Sequence, residues 1–237
     1  MFPFEISSQP DDETCGPTSL HSIYRYYGMD ITLETVIKEV ERSLSGGTLA
    51  TLLGLHALQK NFNVKIYVNN LTLYDPSWFW FDQGNNFLIE KLRAQRPYQE
   101  DPCLIQSSKA AERFLEAGGS IVFKTINARL LKRYFDRKIP IVTGLSATYL
   151  YRSPRERFTE TGQSIFDDVR GLPCGHFVIL CGYNEAKRLV VVADPHRENP
   201  ISRDNYYKVS ATRLINAIML GVYTQDANLL IIEPKEN

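Results

Sequence analysis

The sequence predicts an α+β fold with an antiparallel sheet. Three observations carry that prediction. Most of residues 1–70 follow a helical hydrophobic period, the second half holds short apolar runs of strand length, and two of those runs are joined by a turn-rich segment that reads as a hairpin.

Taken in order, Gly16 to Tyr27 reads as a helix, because Leu20, Ile23, Tyr24 and Tyr27 recur on one face and Gly28 stands just past the end. Thr32 is placed to cap a second helix carrying Leu33, Val36, Ile37, Val40 and Leu44 on one side, ended by Gly46-Gly47. Thr48 opens a third helix through Lys60, and Val64 to Val68 reads as a strand. Ser120 to Ile126 is another strand, Asn127 caps a helix to Arg137, and Ile139 to Leu145 is a strand with Pro140 near its start. His176 to Cys181 and Leu189 to Ala193 form the hairpin across residues 182–188. Tyr206 to Val209 is a strand, Ser210 caps a helix to Leu220, and Asn228 to Ile232 is the last strand. Residues 70–118, with the run Trp78-Phe79-Trp80-Phe81, and residues 147–174 fit this scheme poorly. With no repeat and no clear linker, they read as two insertions in a single domain spanning 1–237.

Composition narrows the function. The 27 basic and 27 acidic residues balance, so no net basic field calls for nucleic acid or an anionic membrane. Apolar residues make up 43% and charged residues 23%, which is ordinary globular usage. No apolar run approaches the roughly 18 residues of a membrane span. The first residues lack a basic region and a long apolar region, so a secretory signal is not expected. Four cysteines (Cys15, Cys103, Cys174 and Cys181) without a C-x-x-C pair suggest neither a disulfide scaffold nor zinc, and fit a reducing, cytoplasmic setting.

The chemistry concentrates at Gln9-Pro-Asp-Asp-Glu-Thr-Cys15-Gly16-Pro17. Cys15 lies where an extended leader becomes a helix, and Pro17 suits the first turn. Unpaired N–H groups and the positive dipole end there favour a thiolate, the nucleophilic form. Asp11, Asp12 and Glu13 oppose this as nearby negative charge, so a cationic partner is needed. His176 opens an apolar strand, and Asp194 follows the next one in Ala193-Asp194-Pro195. In an antiparallel hairpin those two ends adjoin, so Asp194 can orient the imidazole and leave its other nitrogen for Cys15. Gln9, six residues upstream of Cys15, can donate its amide to an oxyanion. The order Cys, His, Asp matches the papain-like arrangement.

These residues also carry a family resemblance. Gln9-x5-Cys15-Gly16-Pro17-x2-Leu20, running to Tyr26-Tyr27-Gly28, resembles the catalytic helix of bacteriocin-processing (double-glycine) cysteine peptidases. Gly47-Thr48-x4-Leu53-Gly54-Leu55 resembles their next helix, and Ile139-Pro140-Ile141-Val142 their first core strand. Gly175-His176-Phe177-Val178-Ile179 with Gly182-Tyr183, then Val192-Ala193-Asp194-Pro195, resembles their histidine–aspartate hairpin. The resemblance implies a papain-like cysteine peptidase fold, with an N-terminal helical lobe and a C-terminal antiparallel sheet. It implies Cys15 as nucleophile, His176 as base, Asp194 as orienter and Gln9 as oxyanion donor, with no cofactor and no metal. The expected activity is hydrolysis of a peptide or other amide through a thioester. Acyl transfer from the same site, or peptide binding without catalysis, are the alternatives.

Around the site, Gly175, His196, Tyr149 and Tyr151 are candidate substrate contacts. Tyr149, Tyr151, Arg152, Arg155 and Arg157 form either a solvated loop or a lid facing an acidic or aromatic substrate. Cys174, Cys103 and Cys181 read as structural, and His21 and His56, within helices, as packing or surface residues.

Overall fold

The computed structural model describes residues 2–44, 46–159, 164–225 and 227–235. The fold is α+β. Its helices are α1 Cys15–Tyr26, α2 Leu33–Glu39, α3 Ala50–Gln59, α4 Gly84–Gln95, α5 Pro102–Glu116, α6 Ala128–Phe135, α7 Ala147–Tyr151 and α8 Ala211–Leu220. Its strands are β1 Phe62–Val68, β2 Ser120–Phe123, β3 Ile141–Ser146, β4 Glu156–Phe158, β5 Ser164–Phe166, β6 Gly175–Asn184, β7 Leu189–Ala193, β8 Tyr206–Ser210 and β9 Asn228–Pro234. Seven strands form one sheet in the order β2-β1-β9-β3-β6-β7-β8, while β4 and β5 pair separately.

Every neighbouring pair in the large sheet is antiparallel except β1 with β2. A parallel pair needs a crossover of a dozen or more residues. Residues 70–118 supply it: α4 and α5 pack as a helical pair between β1 and β2. What reads in sequence as an ill-fitting insertion is therefore the connection that closes this edge of the sheet. Asn85 pins the pair by donating its amide to the carbonyls of Leu115 (3.0 Å) and Gly119 (2.8 Å).

Helix α1 forms as its pattern predicts. Leu20, Ile23 and Tyr24 are fully buried, and each such aliphatic side chain is worth about 1.5–3 kcal/mol. Gly28 takes φ +78°. The Met29 amide then reaches back to the Tyr24 carbonyl, 2.9 Å, and the Gly28 amide to that of Arg25, 3.0 Å. These two bonds close the helix in a Schellman turn. Helix α2 is shorter than its apolar spacing suggests. Val40 turns to extended backbone (ψ 121°), and Leu44 ends exposed rather than on the helix face. Thr48 precedes α3 by two residues, its hydroxyl spent on the Glu41 carbonyl at 3.0 Å. Asn127 and Ser210 cap α6 and α8 as expected. The Trp78–Phe81 run splits. Trp78 and Phe79 pack on the core, while Trp80 and Phe81 are exposed.

One apolar cluster runs from Phe2 to Ile232, shared by the helices and the sheet. Its consequence for the site is the docking of α1 on β6. Gly16 makes this possible: a Cβ there would stand 2.4 Å from Thr48 Cγ2 and 3.4 Å from the Phe177 ring. The Ser19 hydroxyl adds a bond to the Phe177 carbonyl, 3.4 Å. The N-terminus of α1 is thereby fixed against the start of β6.

Candidate active site

Cys15 is the first residue of α1, half-buried, and its helix has no side-chain cap on Thr14. The first-turn amides are therefore free of intrahelical partners. His176, buried and second in β6, lies opposite Leu145 of β3. Its Nε2 bonds to Asp194 Oδ1 at 2.8 Å, and its side chain also contacts that of Cys15. With Nε2 committed to the carboxylate, Nδ1 is the nitrogen left for the thiol. The structure thus brings Cys15, His176 and Asp194 together.

Asp194 lies one residue beyond β7 and is completely shielded from solvent. A buried carboxylate must be bonded throughout, and this one is. Oδ1 also accepts from the His196 amide at 2.8 Å. Oδ2 accepts from the Tyr207 hydroxyl at 2.6 Å and the Tyr151 hydroxyl at 2.7 Å. Asn205 clamps the backbone: its side-chain amide donates to the Asp194 carbonyl, 2.7 Å, and its own carbonyl accepts from the Asp194 amide, 2.8 Å.

The charges follow from these contacts. Burial by itself disfavours the imidazolium, but Asp194 and Cys15 outweigh it and raise the His176 pKa to about 10. Burial likewise works against the Asp194 carboxylate. His176 and the two phenols more than compensate and hold it below the ordinary value. Both phenols are pushed well above theirs, first by burial and then by the Asp194 charge.

Of the other predicted residues, Gln9, Gly175, His196 and Tyr151 lie around His176 and Asp194, and Tyr149 lies apart. The leader runs beside the end of β7, since the Gln9 amide donates to the Pro195 carbonyl at 2.9 Å. The Gln9 side-chain nitrogen donates to the Asp11 carbonyl at 2.7 Å, leaving one N–H of that group, and its Oε1 is buried without a partner. Gly175 pairs with Ser146 and accepts from the Cys174 thiol. The His196 ring lies 6.3 Å from that of His176 and 6.2 Å from that of Tyr151, and burial lowers its pKa. Tyr151, expected among substrate contacts, instead spends its hydroxyl on Asp194. Tyr149 lines a separate cavity that none of Cys15, His176 and Asp194 borders. Arg157 pairs with Asp167 at 3.0 Å. His21 and His56 are packed and bonded within the helical part, and burial pushes the Cys181 thiol up to about 12. Tyr207 and Asn205 have no counterpart in the sequence reading. Their only signal there is a strand-like Tyr-Tyr pair after a polar turn.

Among the described residues there is no His/Cys/Asp/Glu cluster able to hold a metal, and no helix is long and apolar enough to cross a membrane.

The helix-borne thiol and the sheet-borne histidine sit in an α+β fold of the cysteine peptidase-like class. Within that class the chain belongs to the Peptidase_C39 like family, whose profile matches residues 2–217. Among solved structures it is similar to the peptidase domain of Streptococcus ComA, described as a bi-functional ABC transporter involved in a quorum sensing pathway. That match has 11% identity and a TM-score of 0.44 over 98% of this chain and 100% of the other. A putative C39-like peptidase from Bacillus anthracis matches at 15% identity and a TM-score of 0.45, over 99% of this chain and 96% of the other. Xylellain, a cysteine protease from Xylella fastidiosa, matches at 14% identity and a TM-score of 0.47, over 100% and 85%. No curated protein sequence matches.

Proposed function

We propose that this protein is a cysteine-dependent peptide or amide hydrolase that works through a thioester acyl-enzyme. The observation that carries the proposal is the chain of contacts from Cys15 to His176 to a fully buried, fourfold-bonded Asp194. The protonated form of His176, favoured by Asp194, serves here as the counter-ion of a thiolate and as the proton source for a leaving group.

The Cys15 sulfur attacks the substrate carbonyl carbon, and the π electrons move to oxygen. The oxyanion is held by the free amides at the start of α1 and by the remaining N–H of the Gln9 side chain. Collapse breaks the C–N bond as His176 gives its Nδ1 proton to the leaving nitrogen. Neutral His176 then takes a proton from water, the hydroxide attacks the thioester, and the acid departs with the sulfur again anionic. Asp194 keeps Nε2 protonated throughout, so Nδ1 is the nitrogen that exchanges protons. The substrate is a peptide or related amide, with no metal or organic cofactor in the cycle.

The test is alkylation of each cysteine followed by mass spectrometry across pH 5 to 9, with hydrolysis of a peptide library in parallel. Cys15 is expected to react faster than Cys103 and Cys174 at pH 6, to lose that advantage in His176→Ala, and to be required for hydrolysis. Equal rates at all accessible cysteines would remove the activated pair from the proposal. Product that diverts wholly to added amine acceptors would replace hydrolysis with acyl transfer.

A further inference from the structure

Beside the elements that hold Asp194 lies a cavity of about 620 Å³, lined by α7 and by the length of α8. That volume is within the range of small-molecule sites. None of Cys15, His176 and Asp194 borders it. Arg152, Arg155 and Arg213 do, and among the described residues no aspartate or glutamate lines it. None of the three arginines forms an ion pair among the described residues, although Arg157, close by in sequence, does.

The state of each guanidinium is specific. Arg152 caps α7 in the left-handed conformation, φ 56°, with its backbone amide on the Thr148 carbonyl, and its guanidinium has no hydrogen-bond partner among the described residues. Among the described residues, the Arg155 guanidinium donates only to the carbonyls of Asp168 and Val169. Arg213 donates from one nitrogen to the Leu150 carbonyl, while its Nε is shielded from water and has no partner among the described residues. A buried charged donor left unpaired is costly. Arg213 is also destabilised as a cation, by burial first and then by the nearby charge of Arg152. Two like charges are thus held beside each other in a concavity with no counter-charge supplied by the described residues. Guanidinium forks match carboxylate and phosphate oxygens in geometry as well as charge. Hydroxyls of Tyr149 and Thr212 stand in the same lining, and Pro173 and Leu220 give it an apolar wall.

We propose that this cavity is a binding site for an organic anion, a carboxylate or phosphate head on a compact apolar body. Arg152 and Arg213 grip the head, Arg155 screens it at the rim, and the apolar wall takes the body. The site is distinct from the Cys15 site and does not depend on the catalytic proposal.

Binding is tested by calorimetry on the full chain bearing Cys15→Ala, so that no turnover intervenes. Phenyl phosphate represents a phosphate ester and hippurate a peptide-like terminal carboxylate. Hippuramide is the neutral control. Saturable one-to-one binding of phenyl phosphate or hippurate, with hippuramide silent, supports the site, and the tighter of the two identifies the source of the head group. Arg152→Gln removes an unpartnered, exposed side chain and is expected to leave the melting temperature unchanged. It is expected to weaken binding roughly tenfold or more, the worth of one charge-assisted bond. Arg157→Gln, whose guanidinium is already paired with Asp167, is expected to leave binding unchanged. The proposal is overturned by absent binding of both anions, by equal binding of hippuramide, or by an Arg152→Gln affinity within twofold of the parent.

Discussion

Removing the Tyr207 hydroxyl is the sharpest test of how Asp194 is held. Tyr207→Phe keeps the ring and its packing, so no cavity opens. It deletes a 2.6 Å bond to Oδ2 of a carboxylate with no solvent exposure. Hydrogen bonds to charged groups contribute about 1.5–3 kcal/mol. For a chain of this size each kcal/mol moves the melting temperature by roughly 2–4 °C, so the expected fall is roughly 3–12 °C. Tyr151→Phe deletes the other Oδ2 bond, at 2.7 Å, and on its own is expected to cost a similar amount. Together they leave Oδ2 without a donor in a place water does not reach, so the double variant should exceed the sum of the singles by about 1 kcal/mol or more. The sign with pH is fixed. Asp194 is held below its ordinary value of 3.8, so this stability is present above that value and is lost as pH falls through the folded-state value. Both variants should therefore unfold in acid at a higher pH than the parent. Urea melts at pH 7 and acid titrations followed by circular dichroism give all four quantities. Single changes below about 0.5 kcal/mol, combined additively, would refute the view that the two phenols hold the carboxylate.

Three further outcomes are expected. Because the His176 pKa is raised from 6.5 to about 10, its contribution to stability is complete below pH 6.5 and is lost as pH rises to about 10. Melting temperature should fall across that window and flatten in His176→Gln, which calorimetry at stepped pH checks. Gln9→Ala should lower kcat roughly 100–1,000-fold through loss of an oxyanion donor, while Cys15 alkylation, which forms no oxyanion, stays within a few-fold of the parent. Gly16→Ala should cost about 1–3 kcal/mol by overpacking, since the new methyl meets Thr48 Cγ2 at 2.4 Å. Adding Thr48→Ser removes that methyl, keeps the bond to Glu41, and should restore most of the loss in chemical denaturation.

The three residues at the centre are legible because each is a chemically committed side chain at the end of an element. Cys15 begins an amphipathic helix, His176 begins an apolar strand, and Asp194 follows the next one. Hairpin geometry alone predicts the pairing of the last two. Tyr207 is not legible in this way. It reaches Asp194 only because β8 pairs with β7 with Val192 opposite Tyr207, a register no local pattern states. Tyr151 is read as a rim residue because its segment looks polar and irregular. A five-residue helix capped by Ser146, whose hydroxyl accepts from the Tyr149 amide, is too short to show a period. The α4–α5 pair carries a readable signal, Asp101 before Pro102 at a helix start. The aromatic run preceding it, half packed and half exposed, obscures that signal. That this pair is a crossover becomes evident only once β1 and β2 are known to be parallel.

The composition of the Asp194 environment has a reason beyond satisfaction of a buried charge. Burial alone would neutralise both partners, leaving His176 unprotonated and Asp194 protonated. Their mutual attraction favours the ionised pair, yet a buried pair gains only when its remaining lone pairs are also bonded. Two phenols and a backbone amide provide those bonds to the carboxylate. Phenols suit this better than cationic donors would, because an arginine or lysine beside Asp194 would compete for its charge and release the imidazolium proton. They also stay protonated wherever the site works, since burial and the Asp194 charge hold both well above their usual range. The result is a carboxylate whose charge is stabilised without being cancelled, so that its field falls on His176. The positive charge on His176 lies next to Cys15 and opposes the negative charge of the acidic leader, Asp11, Asp12 and Glu13. The two tyrosines are thus positioning residues for Asp194, two hydrogen bonds removed from His176.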